Sequence, residues 1–191
     1  MAPRGTPDAL RRVLLPLELA ESELRAKPAA AVVVVLRDLG PGLEVLLGTR
    51  ARREGDPWSG QVGLPGGRHR REDGTILDTA LRETQEEVGL ELQPGDILGH
   101  MAPRAPGNRL EMLVVPYVAF PEERLGPRPG TELTEVFWCP LVELPPTRST
   151  ARVVTVLGEL TVPAFRYEGR VIWGFTYRVL EELLVLVGLR A

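Results

Sequence analysis

At 191 residues with 43% hydrophobic content, the chain is long enough to bury one well-packed core. Its net charge of −3 excludes a chain-wide basic field for nucleic acid, and no run of about 18 apolar residues offers a transmembrane span. Cys139 is the single cysteine, which excludes an internal disulfide; it reads as a buried apolar residue and fits a cytoplasmic location.

Residues 7–26 read as helix, with Leu10, Val13, Leu14, Leu17 and Leu24 available to one face. Pro16 splits that helix or starts a second one. The apolar stretch 10–19 has arginines before it, as a signal peptide would, but Pro16, Glu18, Glu21 and Glu23 interrupt the pattern. The expected organisation is a helical extension over 1–28, packed on the core or serving as a shield or dimer contact, followed by one domain over 29–191.

Residues 29–37, an Ala/Val/Leu run ending in Arg37, read as a buried strand; 38–42 form a turn, and 43–49 return as the second strand of a hairpin. Residues 50–74 form a loop too long to be passive in a compact domain. It carries Arg50, Arg52, Arg53, Arg68, Arg70 and Arg71, individually solvated charges or, as a set, a grip on a phosphorylated substrate.

The segment 75–90 is the strongest helix. Thr75 with Asp78 forms a capping box, and Gly89 suits the left-handed position past the helix end. Leu77, Leu81, Thr84 and Val88 share one stripe, expected to be buried; Glu83, Glu86 and Glu87 fall on the opposite side. Three like charges at this spacing repel, unless a divalent cation gathers them. Hard oxygen ligands suit Mg²⁺ or Mn²⁺, and the alternative is a solvated acidic face.

Beyond the helix, residues 97–103 and 110–120 read as strands, 122–130 as a Pro/Gly loop, and 132–141 as a strand entering a helix start. Residues 153–156 and 159–162 suggest a hairpin. Residues 167–170 make a tight turn, and 171–174 lead into an apolar helix through 187.

Two of these stretches carry a resemblance. Residues 82–90, Arg-Glu-Thr-Gln-Glu-Glu-Val-Gly-Leu, resemble the second half of the Nudix hydrolase box, R-E-U-x-E-E-x-G-U, and Leu64-Pro65-Gly66-Gly67 resembles its opening. Between the halves the chain departs from the pattern. Arg68 stands at the usual glycine and Gly74 at the first glutamate, as a one-residue insertion would produce. The resemblance implies an α/β fold, an α/β/α sandwich around a mixed β-sheet. It implies hydrolysis of the diphosphate bond in a nucleoside diphosphate derivative. It also implies Mg²⁺ or Mn²⁺ held by Glu83, Glu86, Glu87 and the backbone carbonyl of Gly67, with Arg82 orienting a box glutamate. Residues 132–141 are similar to the family's E-V-x-E-x-x-W-x-P-L stretch, which makes Glu132 a metal ligand or the general base; Glu83 is the other candidate base.

Residues 46–50 and 60–67 are similar to an extra motif of coenzyme A pyrophosphatases, with Arg52 at its serine position and Asp56 at an arginine position. The implied substrate is coenzyme A or an acyl derivative, contacted by Arg50, Arg52, Gln61 and Arg68. Trp58 either stacks on the base or fastens the loop. ADP-ribose or another dinucleotide is the alternative substrate. A non-catalytic nucleotide-binding module is a different class of reading, favoured by Gly74 and opposed by the three retained glutamates. No nucleic-acid or membrane partner is expected, and a homodimer is left open by the apolar terminal helices.

Overall fold

The computed structural model describes residues 5–17, 29–52, 59–107, 111–121, 126–155 and 158–189. Helix α1 (Pro7–Arg11) is capped by the Thr6 hydroxyl; of the helix predicted over 7–26, residues 12–16 are not helical and 18–26, with Leu24, lie outside the described residues. Past Arg11 the chain leaves the helix, and Leu15 forms an antiparallel bridge with His100. The physical reason is Pro16, whose ring pushes the preceding residue into extended conformation. Leu10 and Leu14 bury against the core.

The run at 29–37 becomes β1 (Ala29–Asp38), the centre of the sheet. On one edge it pairs in parallel with β6 (Leu113–Ala119), and β6 pairs antiparallel with β5 (Ile97–His100). Its other edge is shared. Residues 36–38 pair with β2 (Leu43–Arg50), completing the predicted hairpin. Residues 30–32 pair instead with β4 (Gly66–Arg68). Strand β2 diverges from β1 to pair with β3 (Val62–Gly63) and with β7 (Leu133–Pro140). The sheet is therefore mixed, and it splits beside the middle of β1. The predicted loop 50–74 contains both β3 and β4, strands too short and glycine-rich to leave a periodic signal.

Helix α2 (Ile76–Val88) has both predicted caps, the Thr75–Asp78 box and Gly89 at φ 67°. Its buried stripe differs from expectation. Ile76, Ala80, Glu83, Thr84, Glu87 and Val88 are buried, whereas Leu77 and Leu81 are only partly so. The helix thus turns two of its glutamates inward. It packs against Ala31, Val33 and Val35 on one face of β1. On the other face, Val34 and Leu36 meet helix α3 (Gly174–Leu186) through Val179, Leu180, Leu183 and Leu184. Alternate residues of β1 feed two cores, which explains why its sequence is apolar from Ala29 to Leu36.

After β7 the expected helix start is two 3₁₀ turns, Leu141–Glu143 and Pro145–Thr147, because Pro145 and Pro146 lack the donors a longer helix needs. The predicted hairpin extends to β8 (Ser149–Thr155) and β9 (Gly158–Tyr167). With β10 (Arg170–Trp173) it makes a separate three-stranded sheet. Cys139 is fully buried, its thiol pushed up to about 12 chiefly by that burial, which suits an inert core residue.

Candidate active site

The split between β2 and β4 opens a cleft of about 520 Å³. Arg50, Gln61, Gly66, Gly67, Arg68, Arg70, Glu83, Glu87 and Glu132 line its polar side; Met112, Val114, Pro106 and Phe175 contribute apolar wall.

Strand β4 brings the glycine pair against α2. Gly66 has φ 155°, and a Cβ there would lie 2.2 Å from the Ala31 carbonyl oxygen, so no other residue fits. Its N–H donates to Glu87 Oε2 at 2.9 Å. A Cβ on Gly67 would lie 2.5 Å from Glu83 Cδ, so this glycine gives the Glu83 carboxylate its place beside the backbone.

The glutamates of α2 differ in exposure. Glu83 and Glu87 are 8% and 7% exposed, while Glu86 is at the surface. Burial pushes the Glu87 carboxyl up to about 7. The Gly66 N–H and Arg50 pull it down, and Glu83 and Glu132 push it further up. Glu132 reaches the cleft because the loop before β7 is tied to the end of α2, with Gly130 N–H donating to the Glu87 carbonyl at 2.7 Å. Its own carbonyl accepts from Ala51 N–H at 2.8 Å.

Arginines stand between these carboxylates. Arg50 lies 3.2 Å from Glu132 and 3.7 Å from Glu87. Arg70 donates to both Glu86 oxygens at 3.2 Å and lies 3.6 Å from Glu83. Arg82 donates to Glu83 Oε1 at 2.6 Å and to Glu86 Oε2 at 3.2 Å. It also donates through Nε and Nη2 to Asp73 at 2.8 and 2.9 Å, which holds the Asp73 carboxyl well below the usual carboxylate range.

Among the described residues, no three acidic, imidazole or thiol side chains converge into a ready-made metal cage, since the guanidiniums intervene. The donor chemistry nevertheless fits a hard divalent cation. Glu83 and Glu87 are oxygen donors held in a cleft, and burial raises the carboxyl of Glu87 even with Arg50 nearby. Five carboxylates, counting Asp73, face four guanidiniums, Arg68 included, so the cleft offers an incoming anion no net positive charge unless further cations enter.

Of the predicted substrate residues, Arg50, Gln61 and Arg68 line the cleft. Arg52 does not; its side chain lies toward Gly60. Trp58 falls outside the described residues, as do Arg53 and Asp56. Asp73, Phe175 and Thr176 escaped sequence reasoning. Asp73 is one of two adjacent acids, with Glu72, in a charged turn. Phe175 and Thr176 arrive from the first turn of α3, with no local signal of what they face.

Comparison with known proteins gives a consistent result. Residues 26–157 match the model of the NUDIX domain. Mitochondrial coenzyme A diphosphatase NUDT8 of Mus musculus is 34% identical over 177 residues, covering 87% of this chain and 81% of that protein. The uncharacterized Nudix hydrolase NudL of Salmonella paratyphi B is 31% identical over 183 residues, covering 93% and 91%. Among solved structures, a MutT/nudix family protein from Enterococcus faecalis superposes with a TM-score of 0.58 at 22% identity, covering 83% of this chain and 62% of that one.

Proposed function

We infer the substrate from one premise: this chain belongs to the Nudix family and is a hydrolase acting on diphosphate bonds. The proposed substrate is coenzyme A or an acyl derivative, cleaved to adenosine 3′,5′-bisphosphate and a phosphopantetheine. Support comes from the Gln61-containing loop, which lines the cleft, and from the mouse relative, whose name is coenzyme A diphosphatase.

The observation that carries the reading is the pair of buried glutamates, Glu83 and Glu87, in an arginine-lined cleft of a size that suits a small molecule. Nudix hydrolases generally use divalent metals, and here we assign Mg²⁺ or Mn²⁺ to Glu83, Glu86, Glu87 and the Gly67 carbonyl. Such a cation would offset the charge of the diphosphate and make water a better nucleophile.

The chain's own groups then take distinct roles. Arg82 steadies Glu83 and Glu86, with which it already shares hydrogen bonds. Arg50 and Arg70 exchange their carboxylate partners for phosphate oxygens, which a planar guanidinium grips as well. Glu132 accepts the proton of the attacking water, being half exposed at the cleft and paired there with Arg50. The apolar wall of Met112, Pro106 and Phe175 receives the less polar half of the substrate.

The test is hydrolysis of a panel in the presence of Mg²⁺: coenzyme A, ADP-ribose, NADH, diadenosine polyphosphates and deoxynucleoside triphosphates. Higher kcat/KM for coenzyme A than for every other member is the expected result. Preference for ADP-ribose or another dinucleotide would make the Gln61 loop structural and refute the substrate assignment.

A further inference from the structure

We propose that Asp73 is a positioning residue for the cation-binding carboxylates, acting through Arg82; the assignment rests on reading Glu83, Glu86 and Glu87 as the cation ligands. Asp73 is one residue before Gly74, where the chain departs from the box pattern, and its side chain is only 5% exposed.

Both oxygens of Asp73 are occupied. Oδ1 accepts from Arg82 Nε at 2.8 Å, and Oδ2 accepts from Arg82 Nη2, the Thr79 hydroxyl and the Arg70 N–H, each at 2.9 Å. A two-point pair between a carboxylate and a guanidinium fixes the plane of both groups. Once Nε and Nη2 are held by Asp73, Nη1 can point in one direction only. There it meets Glu83 Oε1 at 2.6 Å and Glu86 Oε2 at 3.2 Å. The carboxylate on the loop therefore decides where the two helix glutamates stand.

Charge leads to the same conclusion. Arg82 lies one residue before Glu83 and four before Glu86, close enough to embrace both and to compete with a cation for them. Asp73 neutralises Arg82, so the glutamates keep their negative charge for the cation. It also organises the turn: Asp73 N–H donates to the Arg70 carbonyl at 3.1 Å while Arg70 N–H donates back to its carboxylate. That reciprocal pair starts Arg70 on its path to Glu86.

The experiment compares wild type, Asp73→Asn, Asp73→Glu and Glu72→Gln, the last removing an exposed acid from the same turn. Mn²⁺ affinity is measured without substrate, and kcat and KM are measured with it. Asp73→Asn is expected to weaken Mn²⁺ binding and lower kcat by about 10- to 100-fold each, with KM nearly unchanged. Asp73→Glu recovers part of both losses, and Glu72→Gln matches wild type. Folded Asp73→Asn protein with wild-type Mn²⁺ affinity would overturn the proposal.

A wild-type measurement covers the case in which Asp73→Asn does not fold. The arginine Nε–H resonance that vanishes in Arg82→Lys should exchange slowly with water, and should keep doing so when Mg²⁺ is added. Exchange at the rate of a solvent-exposed arginine in the Mg²⁺ complex would also overturn it. Neither readout needs a substrate. Weakened Mn²⁺ binding in Asp73→Asn, with no diphosphate cleaved by wild type, would uphold Asp73 and remove the substrate reading. Absence of Mn²⁺ binding by wild type would remove both.

Discussion

Glu87 and Glu135 each face an arginine from another element, and their carboxyls are shifted in opposite directions. Glu135, on β7, accepts from Arg170 Nε and Nη2 and from the Thr49 hydroxyl, all at 2.8 Å, and these bonds pull its carboxyl down to about 2. Arg170 also lies over the Phe137 ring at 4.2 Å. Glu87, in the cleft, has one backbone donor, and its arginine stands 3.7 Å away. Burial and two further carboxylates push it up to about 7. The outer pair is electrostatically complete by itself and serves the fold. Glu87 is desolvated without such pairing, and a cation would supply the missing charge.

The comparison breaks most readily at Glu86, the exposed glutamate of α2 beside the cleft. Glu86→Gln should lower kcat by about 10²- to 10³-fold while circular dichroism and Tm stay close to wild type. A folded variant that keeps most of its activity would place the cleft charges in the same structural category as Glu135.

Next in size is the titration of Glu87 in metal-free protein. Its folded-state value, about 7, lies above its ordinary 4.5. Below the ordinary value both folded and unfolded chains are protonated, and this contribution to stability is complete. Between 4.5 and 7 the unfolded chain releases its proton first, so stability falls as pH rises through that window, by on the order of 3 kcal/mol. Urea melts in chelator across the window should show this slope in wild type and lose it in Glu87→Gln. A slope that persists in the variant assigns the titration to another group.

Gly67→Ala sharpens the contrast between fold and site. The new Cβ would meet the end of the Glu83 side chain, which can move, rather than backbone. Loss of about 10- to 100-fold in activity, with little change in Tm, is expected. Equal activity would mean that the position of Glu83 beside β4 does not matter.

The smallest effect belongs to the outer pair. Glu135 is 39% exposed, so solvent screening reduces its contribution. Glu135→Gln should cost about 1 kcal/mol, roughly 2–4 °C in Tm, and leave kcat unaltered. A fall in kcat would extend the catalytic region to the β2–β7 edge.

Much of the scaffold was legible along the chain. The Thr75–Asp78 box and Gly89 bounded α2 as expected, and the unbroken apolar run at 29–36 became the two-faced central strand. The three glutamates and the glycine pair announced the family. The orientation of α2 is only partly legible: Thr84 and Val88 of the predicted stripe are buried but Leu77 and Leu81 only partly so, while Glu83 and Glu87 turn inward, where the Gly66 N–H and arginines meet them. Asp73 gave no periodic signal, and its partner Arg82 is nine residues away on another element.

Capping, turn chemistry and apolar periodicity act between residues within a turn or two of one another. The sequence by itself therefore determined where α2 and β1 lie and which acids sit together on one helix. Desolvation and charge pairing depend on atoms brought from distant elements: Arg50 and Gly66 to Glu87, Glu132 across from β7, and Phe175 from the last helix. Only the tertiary structure decided which glutamates are buried, which arginines restrain them, and that Asp73 holds Arg82 in place.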